Sequence, residues 1–89
     1  MSDLVIDFDP AKDAINRAKH GCSLADAGNM DWSTVKVVPD SRQDYREPRF
    51  QLYGRLKNRL HVLVVTPRDG GLRAISLRRA NRREVMRYG

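Results

Sequence analysis

A near-continuous apolar run, Leu60 to Thr66, constrains the fold of this 89-residue chain more than any other segment. Its centre, Val62-Leu63-Val64-Val65, has the length of a buried strand and is far too short to cross a bilayer. Because apolar residues occupy successive positions, neither face of such a strand can remain in water. The run therefore predicts the central strand of a sheet, covered on both faces.

Four further strands are predicted from β-prone or alternating residues, at 4–8, 34–38, 50–55 and 72–77. Pro39 is expected to end the second of these, and a charged loop without apolar periodicity follows over 40–48. Turns are predicted at 57–59 and at 67–71, where Asp69-Gly70 is typical of a hairpin.

Capping residues predict two helices in the N-terminal third. Asp9-Pro10 starts the first, and Gly21 ends it as a left-handed cap. Its buried side is expected to be an apolar stripe of Ala11, Ala14, Ile15 and Ala18. Ser23 starts a second helix, which is expected to run to about Met30.

A short C-terminal helix is predicted from Asn81, with Glu84 three residues later as its capping partner. The predicted order is β-α-α-β-β-β-β-α in a single domain, residues 1–89. The predicted fold class is α+β, with two N-terminal helices and one C-terminal helix packed on one face of a mostly antiparallel sheet.

Positive charge accumulates toward the C-terminus. The net charge is +6, and residues 71–89 contain six Arg, one Glu and no Lys. Arginine presents a planar fork that matches phosphate oxygens and stays charged when partly desolvated. A solvated basic surface is the plainer interpretation, but the clustering favours a nucleic-acid partner, with Arg79, Arg82 and Arg83 as phosphate-binding residues.

Several other kinds of chemistry do not fit the sequence. One Cys cannot form an internal disulfide, and two His with one Cys have no metal-site spacing. No glycine-rich phosphate loop follows a strand, so we predict neither a metal nor another cofactor. The N-terminus lacks the basic start and apolar stretch of a secretion signal, which predicts a cytoplasmic protein with no membrane contact.

Cleavage of RNA suits a basic surface with few special groups, because RNA carries its own nucleophile, the 2′-OH. The reaction needs that hydroxyl deprotonated, the 5′-oxygen protonated and the charge on phosphorus stabilised. Five residues are candidates for these tasks: Lys19, His20, Glu47, Arg49 and Arg78.

Structural interpretations of the same residues stay open. Glu47 and Arg49 could form a surface ion pair, and Lys19 could be a solvated helix residue. We expect Arg49 and Arg78 at the rim of one groove, because each lies at a strand boundary. His61, in the central strand, is expected to be a hydrogen-bonded sheet residue rather than an acid.

His20 is expected at a helix C-terminus, where the helix dipole favours an imidazolium and raises the histidine pKa. A general base must be neutral to accept a proton. The two requirements oppose each other near neutral pH, so positioning or phosphate contact is the favoured interpretation of His20.

Together these segments resemble one family. The most specific are Lys19-His20-Gly21 at the end of the first helix and Ser76-x-Arg78-Arg79-Ala80 after the last strand. The other matching positions are Phe8-Asp9, Lys12, Asn16, Ser23, Ala27, Glu47-x-Arg49-Phe50, Gly54, Leu63-Val64-Val65-Thr66-x-Arg68, Ile75, Glu84 and Tyr88. With these residues the chain resembles the BrnT toxins, the ribonuclease half of bacterial toxin–antitoxin pairs.

The resemblance implies a fold akin to the RelE ribonuclease toxins and inhibition of translation through metal-independent RNA cleavage. It adds Arg68 to the predicted phosphate-binding residues. It also implies a BrnA-type antitoxin that covers the toxin and binds operator DNA through its own DNA-binding part, in an assembly of two toxins and two antitoxins.

Two functions from other classes remain as alternatives. One is a non-catalytic module that binds RNA or DNA, and the other is a subunit that binds only a protein partner. Few aromatic residues are available for base stacking and no stacking-platform pattern is present, which argues against the first alternative.

Overall fold

The computed structural model describes residues 5–42 and 45–89. Over these residues the elements, in chain order, are β1 (Ile6–Asp7), α1 (Pro10–His20), a first 3₁₀ helix (Leu24–Asn29), a second 3₁₀ helix (Trp32–Thr34), β2 (Lys36–Pro39), β3 (Phe50–Leu56), β4 (Arg59–Arg68), β5 (Gly71–Arg79) and α2 (Arg82–Tyr88). The predicted order of strands and helices is found with one additional 3₁₀ helix, Trp32–Thr34, before β2. Leu4 of the predicted first strand and residues 43–44 of the predicted loop lie outside the described residues.

One mixed sheet connects the five strands of the described chain in the order β1-β5-β4-β3-β2. β1 runs parallel to β5, and the other three neighbouring pairs are antiparallel. β4 lies in the middle, and every residue from Leu60 to Thr66 is buried. The predicted α+β class, the mostly antiparallel sheet and the central strand are confirmed.

The strands extend further into the turns than predicted, because both hairpins have tight two-residue turns. Lys57 and Asn58 adopt left-handed φ values of 53° and 64°, so Arg59 already belongs to β4. Asp69 and Gly70 close the next hairpin with φ values of 49° and 80°. Two successive left-handed residues give the twist that suits a hairpin of antiparallel strands.

We predicted that β2 would stop before Pro39, and this prediction is wrong. Pro39 is the last residue of β2 and lies opposite Phe50 of β3. β2 is an edge strand, where a residue without an N–H is tolerated because one side of the strand needs no ladder partner.

The first helix has the predicted caps. The Asp9 side chain accepts a 3.0 Å hydrogen bond from the Ala11 amide, and Gly21 adopts a φ of 71° as the C-cap. The second helix is correctly located but forms as a 3₁₀ helix after its Ser23 N-cap. The 3₁₀ helix at Trp32–Thr34 was not predicted.

Helices pack on both faces of the sheet, so the prediction that they share one face is wrong. On the face beside α1, the two 3₁₀ helices cover the larger core, built from Leu24, Ala27, Met30, Leu52, Leu56, Leu63, Val65, Ala74 and Leu77. On the other face Tyr53, Leu60 and Val62 form a smaller core against Tyr88 of α2. We call these the α1 face and the α2 face.

The predicted apolar stripe of α1 is also wrong. Ala11, Ala14, Ile15 and Ala18 are exposed, and the side chain of Ile15 is 65 % exposed. The helix instead buries Asn16, which is 4 % exposed. None of the helices in the described residues is long and apolar enough to cross a membrane.

Asn16 takes the place of a missing strand beside β5. β1 pairs with β5 only at Leu72 and Arg73, so the outer edge of β5 is free further along. The Asn16 amide donates to the Leu77 carbonyl at 2.9 Å and accepts from the Leu77 N–H at 3.1 Å. The same amide donates to the Cys22 carbonyl at 2.8 Å, which fixes the end of α1 against the sheet.

Candidate active site

The C-terminal end of α1 places His20 at one end of the sheet. The helix ends because Gly21 adopts a left-handed φ, and its N–H donates to the Arg17 carbonyl at 2.9 Å. Asn16 holds this end of the helix against β5. His20 therefore lies on the α1 face, near the hairpin that joins β3 and β4.

His20 lines a groove of about 480 Å³ between that helix end and the sheet. Its polar lining residues are His20, Asp26, Lys57, Arg59, His61 and Arg79. We call it the histidine groove. Three cationic side chains and one carboxylate make it a positively charged cavity of the size that accommodates a small ligand.

Lys19 does not line the histidine groove. Its side chain is exposed and lines a shallower neighbouring groove of about 190 Å³, together with Lys12 and Ser76. His20 lines both grooves. A phosphate near His20 would therefore feel the charge of Lys19 from the adjoining side.

The expected upward shift of the His20 pKa is wrong. Burial of the ring lowers the pKa of His20 below its ordinary value, and the positive charges of Lys19 and Arg78 lower it further. Burial and nearby positive charges both disfavour the charged imidazolium. The ring is accordingly neutral at neutral pH, the state that a general base requires.

His61 lies in the same groove from the side of the sheet. It is 5 % exposed and lies opposite Gly54 of β3 and Arg79 of β5. Its Nδ1 is 2.9 Å from the Arg59 carbonyl oxygen. The prediction of a hydrogen-bonded sheet histidine is confirmed, but its position beside His20 was not predicted.

Arg78 points to the α2 face and forms a two-bond ion pair with Glu84, at 2.8 and 2.9 Å. Glu84 also accepts a hydrogen bond from the Asn81 N–H at 2.9 Å and one from the Tyr53 hydroxyl at 3.3 Å. The hydrogen bonds from Arg78 are the main reason that the pKa of Glu84 falls to about 2. Arg78 thus joins β5 to α2, while its charge still reaches His20.

Arg49 belongs to a second group of side chains, at the start of β3. Its guanidinium carbon lies 4.1 Å from the centroid of the Tyr45 ring. The Tyr45 hydroxyl donates to Asp40 at 3.3 Å, and Arg42 donates to both oxygens of Asp40 at 2.8 Å. We call Asp40, Arg42, Tyr45 and Arg49 the arginine–tyrosine cluster.

The alternative interpretation of Glu47 and Arg49 as an ion pair finds no support among the described residues. Glu47 instead contacts Arg68 at 3.5 Å, with both side chains 40 % exposed. An ion pair this exposed contributes little to stability. Arg82 and Arg83 are exposed on the first turn of α2.

The predicted catalytic residues divide between two ends of the sheet. His20 lies at one end, beside His61, which was not predicted to be catalytic. The Thr66 hydroxyl donates to the Pro48 carbonyl at 2.7 Å and places Glu47 and Arg49 at the other end. Thr66 lies five residue steps along β4 from His61, or about 16 Å at about 3.3 Å per residue.

Several residues of the groove were not predicted as site residues: Asp26, Lys57, Arg59 and His61. Two signals pointed to them, the Lys57-Asn58 turn and the His within an otherwise apolar strand. Neither signal reveals which residue lies opposite, because that depends on the strand register.

In residues 5–42 and 45–89, no three His, Cys, Asp or Glu side chains are grouped closely enough to hold a metal ion. The groove contributes the two histidines, Cys22 and Asp26, together with cations that would repel a metal. Its charge suits an anion.

Comparison with known proteins agrees with the charge of the groove. A family model described as "Ribonuclease toxin, BrnT, of type II toxin-antitoxin system" matches residues 8–84. The match spans α1 with His20, the whole sheet from β2 to β5, and the Arg78–Glu84 pair. No curated protein sequence matches the chain.

Proposed function

This chain belongs to the BrnT family, the ribonuclease toxins of type II toxin–antitoxin systems, and on that premise we propose that it is an endoribonuclease that cleaves RNA through the substrate's own 2′-OH, without a metal ion. Attack of the 2′-oxygen on the adjacent phosphorus leaves a 2′,3′-cyclic phosphate and a 5′-hydroxyl. The protein has to move two protons and stabilise the charge on the phosphate.

The observation that carries the proposal is a neutral histidine in a cationic groove. His20 has a lowered pKa, so it can accept the 2′-OH proton at neutral pH. Arg79, Arg59 and Lys57 line the same groove and supply positive charge to the phosphate oxygens. Lys19 adds charge from the neighbouring groove. We propose that the scissile phosphate lies here.

We propose different roles for the other predicted catalytic residues. Arg78 acts through the position of α2 and through its charge near His20, because its guanidinium is already occupied by Glu84. Arg49 and Glu47 lie at the far end of the sheet, where they contact the RNA strand beyond the scissile phosphate. A strand that extends across the sheet meets Arg49 and Arg68 there.

Arg82 and Arg83 are proposed to bind phosphates of the same RNA from the first turn of α2. Their side chains are exposed, and backbone N–H groups of a helix N-terminus favour an anion nearby. Such contacts depend on charge rather than on base identity, so they favour affinity over sequence preference.

Membership of a type II family means that the toxin has a protein antitoxin. We propose that this partner is of the BrnA type, that two toxins and two antitoxins assemble, and that operator DNA is bound only through the antitoxin. We further propose a cytoplasmic toxin, a single RelE-like domain over residues 1–89, and inhibition of translation as the outcome of RNA cleavage.

The test is cleavage of a long single-stranded RNA by the purified chain, with and without a chelator. We expect cleavage in both cases, with 2′,3′-cyclic phosphate ends, and no cleavage of DNA of the same sequence. Loss of activity in the chelator, with recovery on adding Mg²⁺, would contradict the metal-independent mechanism. Binding of RNA without any cleavage would favour the non-catalytic alternative.

A further inference from the structure

His61 has a ring nitrogen, Nε2, that its hydrogen bond to the Arg59 carbonyl does not use. The Arg59 carbonyl oxygen, 2.9 Å from Nδ1, can only accept a hydrogen bond, so Nδ1 carries the proton. In the neutral ring Nε2 is then an unprotonated nitrogen. No residue of the described chain forms a hydrogen bond with Nε2, although the side chain lines the groove.

The titratable and charged side chains around His61 belong to several elements that line the groove. They are His20 and the nearby Lys19 of α1, Asp26 of the first 3₁₀ helix, Lys57 of the turn, Arg59 of β4 and Arg79 of β5. The cations attract a phosphodiester into the groove. The bound phosphodiester in turn brings the negative charge that stabilises an imidazolium beside it.

We infer that His61 is the general acid of the cleavage reaction and donates the proton that the leaving 5′-oxygen takes up. The inference rests on the proposed ribonuclease function, and it assigns the second proton transfer that the reaction requires. The two histidines line the same groove from different elements, α1 and β4.

The reaction balances with these two residues alone. Neutral His20 takes the proton of the 2′-OH while the 2′-oxygen forms its bond to phosphorus. The bond from phosphorus to the 5′-oxygen breaks, and that oxygen takes the Nε2 proton of the His61 imidazolium. His20 ends protonated and His61 ends neutral, and exchange with water returns both to their starting states.

The test compares two leaving atoms in one RNA oligonucleotide that carries a linkage the wild-type protein cuts. In one version the leaving atom is the ordinary 5′-oxygen, and in the other it is a 5′-sulfur, which leaves as a thiolate and needs no proton. We expect His61→Asn to cut the oxygen-linked RNA at least about 100-fold more slowly. The sulfur-linked RNA should be cut near the wild-type rate, whereas His20→Gln should be slow on both.

His61→Asn is chosen because its side-chain amide can still donate to the Arg59 carbonyl while nothing occupies the position of Nε2. Thermal unfolding checks that the variant is folded. A second measurement needs no variant: the fall of the wild-type rate at alkaline pH, where the acid loses its proton, should disappear with the sulfur-linked RNA.

An equal loss on both RNAs, or wild-type rates on both, would overturn the role of His61. An alkaline fall that persists with the sulfur leaving atom would do the same. The ribonuclease proposal fails separately, through a wild-type protein that cuts no RNA at all.

Discussion

Arg78 and Glu84 form a forked ion pair, with bonds of 2.8 and 2.9 Å, that ties the last strand to the C-terminal helix. Glu84 is also the capping residue of that helix, so one carboxylate both starts α2 and holds it to the sheet. Tyr88 then stacks on Tyr53 with ring centroids 4.0 Å apart. A pair that sequence analysis assigned to catalysis and capping is also the main polar link across the α2 face.

Replacement of Glu84 by Gln should destabilise the protein, because Arg78 loses its charged partner while still partly buried. Loss of a hydrogen-bonded partner of a charged group costs about 1–3 kcal/mol. The pKa of Glu84 is about 2, below its ordinary value, so its stabilising contribution is present above about pH 4.5 and is lost as the pH falls toward 2.

The measurement is the free energy of unfolding against pH for the wild type and Glu84→Gln. The difference between the two proteins should be largest near neutral pH and shrink below about pH 4.5. A difference that stays constant down to pH 2 would show that the carboxylate charge is not what stabilises the pair.

His20 should make the free energy of unfolding depend on pH in a higher interval than Glu84 does. Its pKa is lowered in the folded state, so protonation favours the unfolded chain. The penalty is complete below the folded pKa and disappears as the pH rises through the ordinary histidine value of about 6.5. The wild type should therefore gain stability relative to His20→Gln between about pH 5 and 7. A relative loss over that interval would mean a raised pKa.

Asn16 should tolerate no isosteric change, because its amide makes three hydrogen bonds in a buried place. Asn16→Asp removes the donors and sets a carboxylate against two carbonyl oxygens, which should cost at least about 1–3 kcal/mol of unfolding free energy. Ile15→Gln, one residue earlier and exposed, is the matched control and should change stability by no more than about 0.5 kcal/mol. Chemical denaturation measures both, and similar losses would refute the edge role of Asn16.

Charge reversal at Arg82 and Arg83 should slow the binding of the antitoxin. Both side chains are exposed, and acidic residues in the first turn of a helix favour its dipole, so the double Glu variant should still fold. If the antitoxin covers the basic surface, rim charges act mainly on the association rate, which should fall and lose part of its salt dependence. Stopped-flow association at two salt concentrations measures this. Reversal of Lys12 on α1 is the control, and a larger effect there would place the antitoxin on the other face.

Local sequence determined both ends of α1 and the start of α2. Asp9, Gly21 and the Asn81–Glu84 capping box act through hydrogen bonds to residues two to four positions away. Their effect can therefore be predicted from a short stretch of sequence. The same holds for the two hairpin turns and for the apolar run of β4. These features predicted the order of the strands and the central strand correctly.

The tertiary structure alone decided which surfaces meet. The small side chains of α1 gave a regular stripe, yet the helix turns Asn16 inward because β5 has a free edge whose backbone groups need partners. The predicted catalytic residues His20 and Arg49 separate for a similar reason: His20 lines a groove with His61 near the start of β4, whereas Arg49 lies near Thr66 toward its other end. The direction of the His20 pKa also depends on burial and on distant cations, which no nearby residue specifies. Caps and turns are short-range and can be predicted from the sequence, whereas register, burial and electrostatic potential sum over residues that only folding brings together.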